Sequence, residues 1–301
     1  HEFHGGKCIE SGLVGRAMNW HPRFGFQNKI IDIDCINKLF TKKTKNIIFF
    51  GGSIMEDTFT PNYLTSIENY AFKDSMQTYR SINLAVSGSR LSNELSRRRI
   101  KKKKHILVDL AIFVDGINEL HSIKFNGKPD DDFYWTAGVK SRIHKPLYFF
   151  FDLVVDRSKI VEIIAINVFN YKSSRIARNY NVTNNLIEKS IEDYFYRKKI
   201  IKLLCDQLSI RCLFAIHPVF NTTKGLDSKN DQIIKEYIKV HYPNNEKIVN
   251  YGYDLLRKDD EVIDLSMIYD GLDNIFIDEA HTNKIGAQLL GKKLFEIISK
   301  N

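Results

Sequence analysis

Ile47-Ile48-Phe49-Phe50-Gly51-Gly52-Ser53-Ile54 is the stretch whose reading decides the fold. A short apolar run rich in Ile and Phe and closed by glycine reads as a buried strand. The glycines let the backbone turn sharply at its end. The residue just past a buried parallel strand lies on the ligand edge of an open α/β sheet. A hydroxyl there, near a helix start, stands where a nucleophile would be placed. Serine is also a preferred helix N-cap, and on this segment alone the cap is the better reading of Ser53. Three later segments reverse that judgement.

Downstream, strand and helix patterns alternate. Apolar runs at 81–86, 107–114, 211–216 and 261–265 read as four further strands. Helical spacing follows at 54–78 with a break at Pro61, from Leu91 into Arg97–Lys104, at 184–209, at 231–240, and at 282–299 with Thr282 as its cap. Strands alternating with helices imply a five-stranded parallel sheet with helices on both faces, an α/β fold of three layers. Residues 1–45 read as an irregular lead-in packed on the body. Residues 46–301 form one domain with an insertion at about 121–180, where Leu147-Tyr148-Phe149-Phe150-Phe151 reads as core packing or as a lid over an acyl pocket.

Composition narrows the function. The chain has 301 residues, 43% hydrophobic and 27% charged, enough to bury a sizeable core. Its net charge of +9 reads as a Lys-rich surface. The run Arg97–Lys104 reads as a solvated helix end, where cations are favoured by the helix dipole. No recognition motif accompanies it, so no nucleic-acid partner is expected. No apolar run reaches the length of a membrane span. Cys8, Cys35, Cys205 and Cys212 contain no C-x₂-C pair, and free thiols are the expectation. The sequence opens on His1 rather than Met. This reads as processing or truncation, leaving room for a signal or membrane anchor ahead of it and a lean toward an extracytoplasmic compartment.

Four strand or loop ends carry a matching set: Gly52-Ser53, Ser87-Gly88, Gly116-Ile117-Asn118 and Asp278-Glu279-Ala280-His281. In a parallel sheet the C-terminal strand ends share one edge, so residues distant in sequence meet there. Together they hold a hydroxyl nucleophile, a base, an acid to orient the base, and amide donors, which is the inventory for acyl transfer. His281 can take the Ser53 proton and Asp278 can hold its other ring nitrogen. The Ser53 N–H, the Gly88 N–H and the Asn118 side-chain amide can converge on a carbonyl oxygen as it becomes an oxyanion. A histidine base must be neutral, so activity is expected to fall in acid. His217, at a strand end on the same edge, is a candidate substrate contact or a structural histidine. Asp115 and Gly52 are candidate supports of the site.

The set resembles the SGNH hydrolase superfamily, the GDSL esterases. The family's G-D-S, second-block glycine, G-x-N-D and D-x-x-H stand here as Gly51-Gly52-Ser53, Ser87-Gly88-Ser89, Gly116-Ile117-Asn118-Glu119 and Asp278-Glu279-Ala280-His281. The resemblance runs from about 46 to 300. Gly52 replaces an Asp, which resembles a subgroup carrying G-G-S, and Glu119 replaces the Asp of G-x-N-D. The resemblance implies a flavodoxin-like fold and a serine esterase that works through an acyl-enzyme with no metal and no cofactor. Its implied substrate is a small acyl ester, acetyl on a carbohydrate first. Rival readings are an acyltransferase using the same site, a lipase or thioesterase, and an idle binding module of a polysaccharide assembly.

Overall fold

The computed structural model describes residues 9–11, 19–21, 25–27, 29–31, 40, 42–55, 79–83, 85, 107–126 and 181–300. Nine strands lie among them: β1 (Ile9–Ser11), β2 (Asn19–His21), β3 (Gly25–Gln27), β4 (Lys29–Ile31), β5 (Lys45–Gly51), β6 (Tyr79–Asn83), β7 (Leu110–Asp115), β8 (Arg211–Ile216) and β9 (Val262–Asp264). Helices of ten residues or more among them are α1 (Ile117–Asn126), α2 (Asn184–Gln207), α3 (Lys229–His241), α4 (Asn245–Leu256) and α5 (Lys284–Lys300). The lead-in read as irregular contains two antiparallel pairs, β1 with β4 and β2 with β3.

The remaining strands form one sheet in the order β6-β5-β7-β8-β9, and every pair is parallel. Counted along the chain this is 2-1-3-4-5, the flavodoxin-like order. The order reverses at β5, so right-handed connections on its two sides lie on opposite faces of the sheet. The expected α/β fold with a five-stranded parallel sheet is therefore the fold observed.

A sheet covered on both faces needs strands that are apolar throughout. β7 is buried along its whole length and β5 from Asn46 onward. Phe50, Phe113 and Phe214 fall in register across β5, β7 and β8. Their rings stack at centroid distances of 4.8 and 5.1 Å. The main core adds buried side chains of α1, α2, α4 and α5, including Leu120, Ile187, Tyr253 and Leu290. A smaller cluster of Phe220, Ile234, Ile238, Tyr269, Ile275 and Phe276 packs beside it.

Two expectations are corrected. Cys205 and Cys212 are not free thiols but a disulfide. Cys205 lies in the last turn of α2 and Cys212 in β8, and the tight turn between them brings their Cα atoms to 6.2 Å. The cap of α5 is Asn283, not Thr282: the Asn283 Oδ1 accepts the N–H groups of Ile285 and Gly286 at 2.9 and 3.1 Å. Thr282 instead bridges to Phe276 and is buried. The first residues of the insertion read at about 121–180 belong to α1, which runs to Asn126. Residues 127–180, with the Leu147–Phe151 cluster, the run Arg97–Lys104, Gly88, Cys8 and Cys35, lie outside the described residues.

Candidate active site

The C-terminal ends of the strands meet on one edge. Gly51 is in register with Val114, Asp115 with Ile216, and Ile216 with Asp264. In this strand order the ligand crevice opens where the order reverses, between β5 and β7. Ser53 stands on one side of it, opening a 3₁₀ turn (Ser53–Met55) closed by the Met55 N–H on the Gly52 carbonyl at 3.1 Å. Asn118 stands on the other side, in the first turn of α1, and is buried. Two glycines make this approach possible. A Cβ on Gly51 would lie 2.8 Å from the Val114 carbonyl oxygen. Gly116 has φ of +142°, and a Cβ there would lie 2.5 Å from the Tyr253 hydroxyl.

Asp278 and His281 are directly paired. The Asp278 Oδ2 lies 2.7 Å from the His281 Nδ1. The Asp278 Oδ1 accepts the backbone N–H groups of Ala280 and His281 at 2.8 and 2.7 Å. Burial works against the Asp278 charge, but the ring of His281 and the two backbone N–H groups outweigh it and hold the carboxyl below its ordinary range. An ionised carboxylate only accepts, so the Nδ1 carries the ring proton. In the neutral ring this leaves the Nε2 lone pair able to take a proton.

The loop that carries this pair is closed on itself. The Ile277 N–H donates to the His281 carbonyl at 2.9 Å and the Asn283 N–H to the Ile275 carbonyl at 2.8 Å. Phe276 underneath packs edge-on against Phe220 and Tyr269. The Phe220 N–H donates to the Glu279 carbonyl at 2.9 Å, which fixes the loop to the chain leaving β8. Glu279 is also ion-paired with Lys124 of α1, whose ammonium lies 3.6 Å from the centre of the Tyr242 ring. Burial pulls the Lys124 ammonium below its ordinary pKa, with Glu279 opposing.

His217 leaves β8 buried, with its Nδ1 donating to the Pro218 carbonyl at 3.1 Å. Tyr253 of α4 donates its hydroxyl to the His217 carbonyl at 3.0 Å. Asp115, also buried, accepts the His217 N–H on its carbonyl at 3.1 Å. Burial pushes the His217 imidazole from 6.5 down to about 4; Pro218 opposes this and nearby His281 adds to it. The unfolded chain therefore binds a proton at this residue below about 6.5 while the folded chain resists until about 4. Stability should fall as pH drops through that window and be unaffected by His217 above it. Thermal melts from pH 7 to pH 4 check this: His217→Gln should show a shallower decline than the wild type. Equal slopes would contradict it.

The structure thus joins Asp278 to His281, sets His217 near His281 and Asp115 against His217, and puts Gly52, Ser53 and Asn118 at the crevice between β5 and β7. Gly88 falls outside the described residues. Glu119, standing where the family carries Asp, is buried with its Oε2 3.9 Å from Arg197 of α2. Lys124, Tyr253 and the anchoring role of Glu279 go beyond the sequence reading. Each acts through a partner 36 or 155 residues away, and no local pattern signals that.

No family model matches the chain, and no curated protein matches it. Solved structures do. An acetyl xylan esterase, AlAXEase, is 12% identical with a TM-score of 0.46, covering 84% of this chain and 99% of its own. The lipase Lip_vut3 from a goat rumen metagenome is 11% identical with a TM-score of 0.47, covering 83% and 96%. A lipase/acylhydrolase from Enterococcus faecalis is 12% identical with a TM-score of 0.41, covering 85% and 95%. At such identities the chemistry has to be read from this chain's own residues.

Proposed function

We propose that this chain is a serine ester hydrolase in which Ser53, His281 and Asp278 form the catalytic triad. The observation that carries the reading is the Asp278–His281 pair, held by three N–H contacts on one carboxylate, on the sheet edge that also presents Ser53 and Asn118. His281 Nε2 takes the Ser53 hydroxyl proton as the Oγ attacks the ester carbonyl carbon. The carbonyl oxygen becomes an oxyanion, met by the N–H groups of Ser53 and Gly88 and by the Asn118 amide. The tetrahedral species collapses, His281 gives the proton to the leaving alcohol, and an acyl-Ser53 ester remains. Water, deprotonated by His281, attacks that ester and releases the carboxylic acid and Ser53. Asp278 stabilises the imidazolium at both stages.

The substrate proposed is a small acyl ester on a carbohydrate, acetyl first, on the resemblance of the four sequence blocks. A cavity of about 350 Å³ lies between the segment that leaves β8 and the helices α3 and α4, lined among others by Phe220, Asn221, Thr223, Lys235, Tyr242 and Glu246. Its volume falls within the range of small-molecule sites. Steady-state kinetics on an aryl acetate and on acetylated xylo-oligosaccharides test the reading. Asn118→Ala should cost about 10²- to 10³-fold in kcat with little change in KM, as expected for a donor engaged only in the transition state. An Asn118→Ala enzyme with wild-type kcat would remove Asn118 from the oxyanion site. Absence of turnover of every ester tried would count against the hydrolase itself.

A further inference from the structure

Lys124 is a costly place for a cation. It lies six residues along α1 from Asn118 and only 5% of it is exposed. A buried charge is unfavourable unless it is paired. Its partners are the Glu279 carboxylate and the face of the Tyr242 ring. His121, on the same helix, brings its Nε2 to 3.9 Å from the other Glu279 oxygen. Glu279 sits between Asp278 and His281 in the chain, and its backbone carbonyl is already held by Phe220. One partly buried ion pair thus ties α1, whose first turn carries Asn118, to the loop that carries the base.

An apolar pair of the same volume would hold two elements together at least as well, because desolvation offsets most of what a buried ion pair gains. What the ion pair adds is a fixed geometry between two particular atoms. We propose that Lys124 and Glu279 are positioning residues, their ion pair setting where His281 stands relative to the Asn118 amide. The proposal rests on the hydrolase reading above. A stiff helix transmits the placement from Lys124 to Asn118, and a base displaced by an ångström costs about a hundredfold in rate.

The test compares wild type, Lys124→Met, Glu279→Gln and the double variant, each shown to be folded by circular dichroism. On an aryl acetate, each single variant should lose about tenfold to a hundredfold in kcat with KM nearly unchanged. The double variant should be no worse than either single one, because both remove the same tie. Hydrogen exchange at the Ala280 and His281 amides, which donate to Asp278, should speed up in all three variants. Glu279→Gln keeps the side-chain shape and carries the test if Lys124→Met does not fold. Wild-type kcat in both folded single variants, or losses that simply multiply in the double one, would overturn the proposal. Unchanged amide exchange would overturn the clamp whatever the wild type catalyses. A wild type without Ser53-dependent turnover would instead strike the hydrolase reading, and the exchange data keep the two failures apart.

Discussion

Replacing Ser53 with alanine should abolish ester turnover, with a fall in kcat of roughly 10⁴- to 10⁶-fold. The hydroxyl is the group in the proposed mechanism that forms and then releases the acyl bond. The stability of the variant separates this from the cap reading. Ser53 opens a 3₁₀ turn of three residues, Ser53–Met55. If capping were its whole role, the alanine protein would lose about 0.5–2 kcal/mol of stability and keep its activity. The nucleophile reading predicts the reverse: melting temperature close to wild type and turnover gone. Kinetics and a thermal melt on the same preparation decide between them.

Asp278→Asn should lower kcat by about 10⁴-fold while leaving the loop in place. The Asp278 Oδ1 accepts from two backbone N–H groups, and an amide oxygen in the same position can still do so. The other oxygen faces the His281 Nδ1 at 2.7 Å. An amide nitrogen there is a donor, so the ring must present Nδ1 as acceptor and carry its proton on Nε2. That tautomer cannot take a proton from Ser53. The loss should therefore appear in kcat, with substrate binding intact, and the ring tautomer should be visible in the ¹⁵N shifts of His281. A variant that keeps wild-type kcat would mean that Asp278 only closes the loop through its backbone contacts.

The sheet was legible because parallel strands buried on both faces leave an apolar run of recognisable length. β8 matches its expected bounds of 211–216, and β5 lies within a residue of its own. β7 starts three residues late, where the Asp109 side chain accepts the Asn46 N–H and the ladder begins beyond it. α1 was hidden because its ten residues start directly on the Gly116-Ile117-Asn118 block, which reads as a turn, and run without a strong apolar stripe. The catalytic candidates were legible as short motifs at strand ends, since Asp278 and His281 must be close in sequence to share a loop. The residues that hold that loop were not. Lys124 and Tyr253 look like ordinary helix residues until the fold brings Glu279 and His217 beside them. The Cys205–Cys212 bond belongs with these, because seven residues of spacing mean nothing until a helix end and a strand start are known to flank the turn.

Labelling with a fluorophosphonate probe decides whether Ser53 is an activated nucleophile. An activated serine oxygen attacks phosphorus, expels fluoride and leaves a stable adduct that peptide mass mapping can locate. One adduct is expected on Ser53 in the wild type, absent in Ser53→Ala and formed far more slowly in Asp278→Asn. Folded wild-type protein that takes up no label, or takes it up at another serine while Ser53 stays bare, would contradict it.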